Sequence, residues 1–258
     1  MNILNKIALN KRLEVDLLKA EYPLSLIKKK LPQTEKFRFS QALRKDDLIH
    51  IIAEIKKGSP SKGIIAEDFN PSELAQNYCD GGASALSVLT ESKYFYGNYA
   101  YVKTVAEKTG LPVLCKDFML EPYQIYHAKY IGADAILLIV KLLRVDFMQE
   151  MIQVATDLGL DALVEVHEMS ELEIALKAGA KIIGVNNRNL TTFETNLQTS
   201  INLARQIPSD KIKVSESGIF DTGDIKRLHE AGYNNFLIGE ALVKNSQPSE
   251  LLQRLRNA

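Results

Sequence analysis

Hydrophobic positions along this chain follow two alternating periods. Short, apolar runs begin near Ile51, Ala85, Pro112, Ala135, Ala162, Ile182, Ile212 and Asn235. Most are apolar at nearly every position, the pattern of strands buried on both faces of a parallel sheet. Between them lie stretches with helical spacing: Ser72–Cys79, Tyr99–Lys108, Pro122–Tyr130, Val145–Leu158, Ser170–Lys177, Leu197–Gln206 and Thr222–His229, with Pro248–Arg256 closing the series. Gly82, Gly110, Gly132, Gly159, Gly179 and Gly232 each stand just past a helical stretch, where a left-handed C-terminal cap favours glycine. Eight strand–helix units predict an α/β fold, a closed (β/α)8 TIM barrel over residues 49–258. An open doubly wound sheet is disfavoured, because it would need edge strands more polar than any here.

Residues 1–48 follow a different pattern. Ile3–Ala20 mixes apolar residues (Ile3, Leu4, Ile7, Leu9, Leu13, Val15, Leu17, Leu18) with Lys, Arg and Glu, which predicts an amphipathic helix of moderate quality. Pro23 interrupts it, Leu24–Lys30 reads as a second short helix ended by Pro32, and Phe39–Arg44 reads as another short turn. This N-terminal helical extension is too small to be its own domain, so one domain is expected over 1–258.

Composition narrows the function. The 258 residues are 46% hydrophobic and 25% charged, ordinary for a globular chain with a sizeable core. Thirty-two basic and thirty-two acidic residues cancel, so no global charge favours nucleic acid or an anionic membrane. A local positive site for a small anion stays open. No signal-like apolar run opens the chain and no stretch approaches the roughly 18 apolar residues of a membrane span, so a cytoplasmic protein is expected. Cys115 alternates with Lys116 and should face packed helices, while Cys79 lies near a helix end; two buried thiols are expected rather than a disulfide. The four histidines show no metal-ligand spacing, and no metal site is expected.

Charged residues interrupt the apolar strands at their carboxyl ends, where barrels of this kind place their active sites. In Ile51–Gly63, IIAEIKKGSPSKG, Glu54 and Lys56 stand two apart and so share a strand face. Lys116, Glu165 and Glu216 interrupt strands three, five and seven, and Asn186 and Arg188 share a face of strand six. Carboxylates and lysines converging on one mouth are the raw material of acid–base catalysis; a structural ion pair is the plainer alternative at any one position. Asp117, Lys141 and Glu240, taken singly, read as solvated rim charges. Ser217–Gly218 and Ile238–Gly239 follow adjacent strands, and with a short helix beginning at Glu240–Leu242 they suit a phosphate cradle. The aromatic loop Tyr94–Phe95–Tyr96 suits either stacking on a planar substrate or packing against the N-terminal extension.

Together, IIAEIKKGSPSKG, SVLTESKYFYG, PVLCKDF, LVEVH, IGVNNRNL, VSESGI and FLIGEAL closely resemble the matching blocks of the indole-3-glycerol phosphate synthase family, in the same order. The opening ILNKI…KR resembles that family's first helix. The resemblance implies a carboxy-lyase of tryptophan biosynthesis. It would convert 1-(2-carboxyphenylamino)-1-deoxyribulose 5-phosphate to indole-3-glycerol phosphate, carbon dioxide and water, with no cofactor or metal and no obligate protein partner. It further implies that Lys116 is the general acid at the ketone and Glu165 an acid–base residue of the later steps. By the same resemblance Lys56 and Glu54 are catalytic as well: Lys56 would bind the anthranilate carboxylate and could also act in dehydration, and Glu54 would orient the lysines and touch the substrate. Ser59, Phe95, Asn186, Arg188 and Glu216 match substrate contacts; Ser217, Gly218, Gly239 and Glu240 match phosphate contacts, the last two largely through backbone amides. Lys56, Lys116 and Arg188 would make the mouth locally positive. Two departures stand out. Gly58 replaces a commoner alanine and is expected to loosen its loop slightly. Asn189 follows the arginine where aspartate is also common, and could alter how Arg188 is held. Another phosphate-binding barrel, such as a phosphoribosyl isomerase, and a catalytically silent barrel kept as a binding partner are the competing expectations.

Overall fold

The computed structural model describes residues 3–43, 48–190 and 192–258. Eight parallel strands occupy the expected runs: β1 (His50–Ile55), β2 (Ala85–Leu89), β3 (Val113–Lys116), β4 (Ala135–Ile139), β5 (Asp161–Val166), β6 (Ile182–Asn186), β7 (Ile212–Glu216) and β8 (Asn235–Ile238). Each pairs with the next, and β8 closes onto β1 with Ala53 opposite Ile238. The helices Pro71–Asp80, Tyr99–Thr109, Pro122–Tyr130, Val145–Asp157, Met169–Lys177, Gln198–Ala204, Thr222–Glu230 and Pro248–Arg256 lie where periodicity places them. All six expected cap glycines have positive φ. Strand residues sort by parity into two apolar layers. Ile52, Leu114, Leu137, Leu163, Val214 and Leu237 fill the barrel interior, while Ile51, Ala53, Val88, Cys115 and Val164 pack outward under the helices. Each such fully buried side chain contributes about 1.5–3 kcal/mol, which is why the strands are apolar on both faces. Cys79 is only half-buried, contrary to expectation, because the end of its helix faces partly outward; both cysteines are free thiols.

The N-terminal extension forms α1 (Ile3–Glu21), α2 (Leu24–Lys29) and α3 (Arg38–Leu43). The expected end of the third turn, Arg44, lies outside the described residues. Helix α1 buries Leu4, Ile7, Lys11 and Val15 and leaves Leu9, Leu13 and Leu17 exposed. Its apolar residues are thus split between two faces, and a lysine holds a place on the inner one. Lys11 is fully buried, with its Nζ 2.8 Å from both Asp117 Oδ1 and Glu14 Oε2. Burial works against this ammonium, but Asp117 and Glu14 more than offset it and raise the Lys11 pKa. Asp117 is therefore no solvated rim charge: it anchors α1 from the end of β3. Helix α3 fastens the opposite end of the barrel, through Arg38 to Asp134 at 3.1 Å and the Ser40 amide to Asp161 at 2.8 Å.

Three short elements have no counterpart in the sequence pattern: a hairpin pairing Gly58–Ser59 with Gly63–Ile64, a one-turn helix Ser92–Phe95, and a 3-10 turn Val140–Leu142. Each is too short to carry a period. All three lie beyond the carboxyl ends of β1, β2 and β4, where they shape the mouth.

Candidate active site

All the candidate residues except Glu216 line one cavity at the carboxyl ends of the strands. The first turn of α1 roofs it with Leu4 and Ile7, and Phe95, Phe118 and Leu137 add apolar wall. Sequence reasoning missed Leu4, Ile7 and Phe118 as wall residues. The periodicity of α1 marks a buried face but not what that face covers.

At the base, β1 presents Glu54 and Lys56 on one side, with Lys56 Nζ 2.9 Å from Glu54 Oε1. Lys116, at the end of β3, reaches across the barrel. Its Nζ lies 2.8 Å from Glu216 Oε2 on β7 and 3.4 Å from Glu54 Oε2. Burial alone would push Glu54 up, but Lys56 and Lys116 hold its carboxyl down at about 2. Burial also opposes the Lys116 charge, yet Glu216, Glu54 and Glu165 raise its pKa well above the ordinary lysine value. Lys116 is thus an ammonium across the physiological range.

Glu216 lies below the residues that line the cavity. It is wholly buried beneath Lys116, and its Oε1 has no hydrogen-bond partner among the described residues. Burial pushes its carboxyl up to about 7; Glu165 and Glu54 add to the rise and Lys116 counters it. The carboxyl lies against a glycine of β6: a Cβ on Gly184 would overlap Glu216 Oε1, so the carboxyl would have to shift. Glu165, the residue paired with Gly184 in the β5–β6 register, faces the same space.

The other side of the mouth is built by β6, β7 and β8. The Asn186 side chain accepts from the Arg188 amide at 3.0 Å, and Arg188 Nη1 donates to the Phe193 carbonyl at 2.9 Å. Asn189 turns the chain back toward Phe193 and Glu194 through its backbone, and its side chain accepts from the Thr192 amide at 3.2 Å; the Phe193 carbonyl holds Arg188. Ser217 and Gly218 adopt φ of +67° and +75°. A serine in this left-handed region stores about 1–2 kcal/mol of strain. The neighbour Asn187, which sequence reasoning did not separate from Asn186, holds the turn by donating to the Ser217 carbonyl at 3.0 Å. Glu240 opens the short helix Glu240–Val243 and is tied to Lys62, to Lys244 at 2.8 Å and to Arg188 at 3.6 Å. Those lysines overcome its partial burial and bring its carboxyl to about 2. Glu240 is therefore the centre of a cationic rim, not an isolated solvated charge. Lys56 and Lys116 are matched by carboxylates at the base, so the positive excess of the mouth comes from Lys62, Arg188 and Lys244.

Two loops shape the mouth further. Glu91 caps the helix Ser92–Phe95, accepting from the amides of Lys93, Tyr94 and Phe95 at 2.7–3.1 Å. That turn aims Phe95 into the cavity, where its ring centroid lies 5.9 Å from that of Phe118. Gly58 does not loosen its loop. It is buried in the hairpin, and a Cβ there would overlap the Gly63 carbonyl and the Tyr96 ring. Lys141, by contrast, is the partly exposed rim residue expected, 3.2 Å from Glu171.

A family model described as indole-3-glycerol phosphate synthase matches residues 4–255. The protein named indole-3-glycerol phosphate synthase in Ruminiclostridium cellulolyticum is 45% identical over 99% of both chains. That of Carboxydothermus hydrogenoformans is 51% identical over 80% of this chain and 79% of its own. Among solved structures, 3-hexulose-6-phosphate synthase from Salmonella typhimurium superposes with a TM-score of 0.66 at 13% identity, covering 81% of this chain and 97% of its own. Thiamine phosphate pyrophosphorylase from Pyrococcus furiosus gives 0.61 at 15% identity over 82% and 95%. These structural likenesses show the barrel fold alone. The family match spans the elements that carry every group of the mouth, and the chain belongs to the indole-3-glycerol phosphate synthase family.

Proposed function

We propose that this chain closes the indole ring of indole-3-glycerol phosphate from 1-(2-carboxyphenylamino)-1-deoxyribulose 5-phosphate, releasing carbon dioxide and water, with Lys116 as the general acid. The observation that carries this reading is the Lys116 ammonium, held between Glu216 and Glu54 in the base of the mouth. As the aromatic carbon attacks the ketone, negative charge develops on the carbonyl oxygen, and a positioned ammonium donates the proton that neutralises it. Departure of carbon dioxide restores the aromatic ring. Glu165 then takes a proton from the new ring system and returns one to the departing hydroxyl as water. Lys56 binds the anthranilate carboxylate, and the apolar wall with Phe95 lies along the ring. Glu216, reaching Lys116 and no open space, acts by holding the acid in place.

Ser217, Gly218, Gly239 and Glu240 form the phosphate end, with backbone amides as donors and Lys62, Arg188 and Lys244 supplying positive potential. Ser59 and Asn186 fix the ribulose chain between the two ends. The chain acts as one domain, residues 1–48 as a helical extension and 49–258 as the barrel. It is a cytoplasmic enzyme needing a small phosphorylated substrate and no obligate partner, nucleic acid or membrane. None of the described helices is long and apolar enough to cross a membrane.

Purified protein mixed with the carboxyphenylamino-deoxyribulose phosphate should develop indole fluorescence; no signal from folded protein would refute the activity. Glu165→Gln should spare ring closure more than dehydration, so single-turnover traces should show an intermediate that Lys116 variants never form. Loss of both steps together in Glu165→Gln would refute its assignment to the later one.

A further inference from the structure

The strand that carries Glu165 ends one residue later, and His167 follows on the same face. The imidazole is buried. Its Nε2 lies 3.6 Å from Glu165 Oε1 and has no hydrogen-bond partner among the described residues. On its other side, Nδ1 lies 3.1 Å from Glu171 Oε2, an oxygen that also accepts from the His167 backbone amide at 2.8 Å. Glu171 lies in the first turn of the helix Met169–Lys177 and is itself buried; its second oxygen lies 3.2 Å from Lys141, which reaches solvent. Four charged or titratable groups therefore run in a line from the cavity to the surface: Glu165, His167, Glu171 and Lys141.

A carboxylate only accepts, so the contact with Glu171 fixes a hydrogen on Nδ1. Nε2 then faces a second carboxylate. A ring with an acceptor at each nitrogen is best satisfied as the imidazolium, which donates from both. Burial opposes that charge, but the Glu171 hydrogen bond and the charges of Glu165 and Glu171 outweigh it, with Lys141 acting the other way, and the His167 pKa is raised. The separation of 3.6 Å from Glu165 is open by a fraction of an ångström, as active-site contacts often are before substrate arrives.

We propose that His167 is a positioning residue for Glu165: clamped by Glu171, its imidazolium supplies the hydrogen bond and positive charge that aim the Glu165 carboxylate into the cavity, ready to take a proton. This rests on Glu165 being the acid–base residue of the later steps. The buried Glu171 carboxylate has the matching task of holding His167 protonated and oriented, with Lys141 as its outer counter-charge.

The test compares His167→Gln, Glu171→Gln and Glu165→Gln in full-length protein, using pH profiles of kcat and KM with the carboxyphenylamino-deoxyribulose phosphate. In His167→Gln the Glu165 carboxylate loses its clamp, so kcat should fall about tenfold and the acidic limb of its pH profile should move upward, with KM nearly unchanged. Glu171→Gln keeps the imidazole but weakens its hold on the proton, so it should move the basic limb to lower pH and leave the acidic limb in place. Imidazole 15N spectra of the unsubstituted enzyme should show His167 doubly protonated at pH 7, and its titration should fall in Glu171→Gln; this reading stands even if His167→Gln does not fold. Unchanged kcat and pH limbs in His167→Gln, beside an inactive Glu165→Gln, would overturn this proposal alone. A neutral His167 at pH 7 would overturn it as well. Near-normal turnover in Glu165→Gln would overturn the role of Glu165 and this proposal with it.

Discussion

Lys116→Met removes the one cation that Glu54 and Glu216 share, and its consequences separate catalysis from stability. Glu216 loses its 2.8 Å partner, and Glu54 keeps only Lys56. A buried carboxylate stripped of its partner costs about 3–5 kcal/mol if it stays ionised. Glu216 avoids that cost by holding a proton. Its carboxyl already sits at about 7 with Lys116 pulling it down, so it rises further once Lys116 is gone. A carboxyl raised on folding contributes stability that is full below its unfolded value and lost as pH rises through its folded one. In the unsubstituted protein that loss is complete near pH 7, whereas in the variant it continues above. The melting temperatures should therefore lie close together at pH 6 and diverge between about pH 7 and 9. Activity should fail at every pH. A positioned general acid contributes roughly 10²–10⁴-fold, so kcat should drop by at least that range in a folded protein. Lys116→Arg should not rescue it, because a guanidinium hydrogen-bonds but scarcely releases its proton. Stopped-flow indole fluorescence and thermal melts at several pH values measure both arms. Near-normal turnover would move the acid elsewhere, first to Lys56. A melting difference that stays flat with pH would refute the electrostatic account of Glu216.

Gly239→Ala tests both ends of the mouth at once, because the new Cβ would overlap Glu54 Oε1. Disturbing one charge-assisted hydrogen bond is worth about 1.5–3 kcal/mol, so kcat should fall at least tenfold alongside a raised KM; an unchanged kcat would mean that Glu54 relaxes freely. Phe95→Ala should weaken binding of indole-3-glycerol phosphate by about 1–3 kcal/mol, as loss of a base–aromatic stack does, by titration calorimetry. If binding holds while the melting temperature falls, the ring's role is its packing on Phe118.

Barrel and site were legible in the sequence for one physical reason: both are local contrasts. A strand buried on both faces is apolar throughout, so Glu54, Lys56, Lys116, Glu165 and Glu216 stand out against their own neighbours. Helix ends announce themselves through glycine and proline. In the aromatic loop, Phe95 faces the cavity and packs on Phe118 of the barrel. What local contrast does not carry is the partner. Asp117 reads as a rim charge until Lys11, more than a hundred residues earlier, is seen beneath it. Glu216 interrupts its strand as a substrate ligand would, and only the closed barrel shows that its partner is Lys116, on the far side of the barrel.

Gly184 marks the boundary between these cases. It stands inside IIGVN, a strand whose other positions are packed, and a glycine within a strand weakens it through lost packing and added chain entropy. Such a position is kept where another group must come close, so the cost is itself a signal. Nothing in the sequence names that group; the β5–β6–β7 register does, by setting the glycine beside the Glu216 carboxyl. The two residues are one device split over adjacent strands. Glu216 holds Lys116 through Oε2 while its Oε1 occupies the space that a side chain on β6 would take. A methyl group at 184 would thus act on the acid at the ketone without touching substrate, Lys116 or the phosphate end.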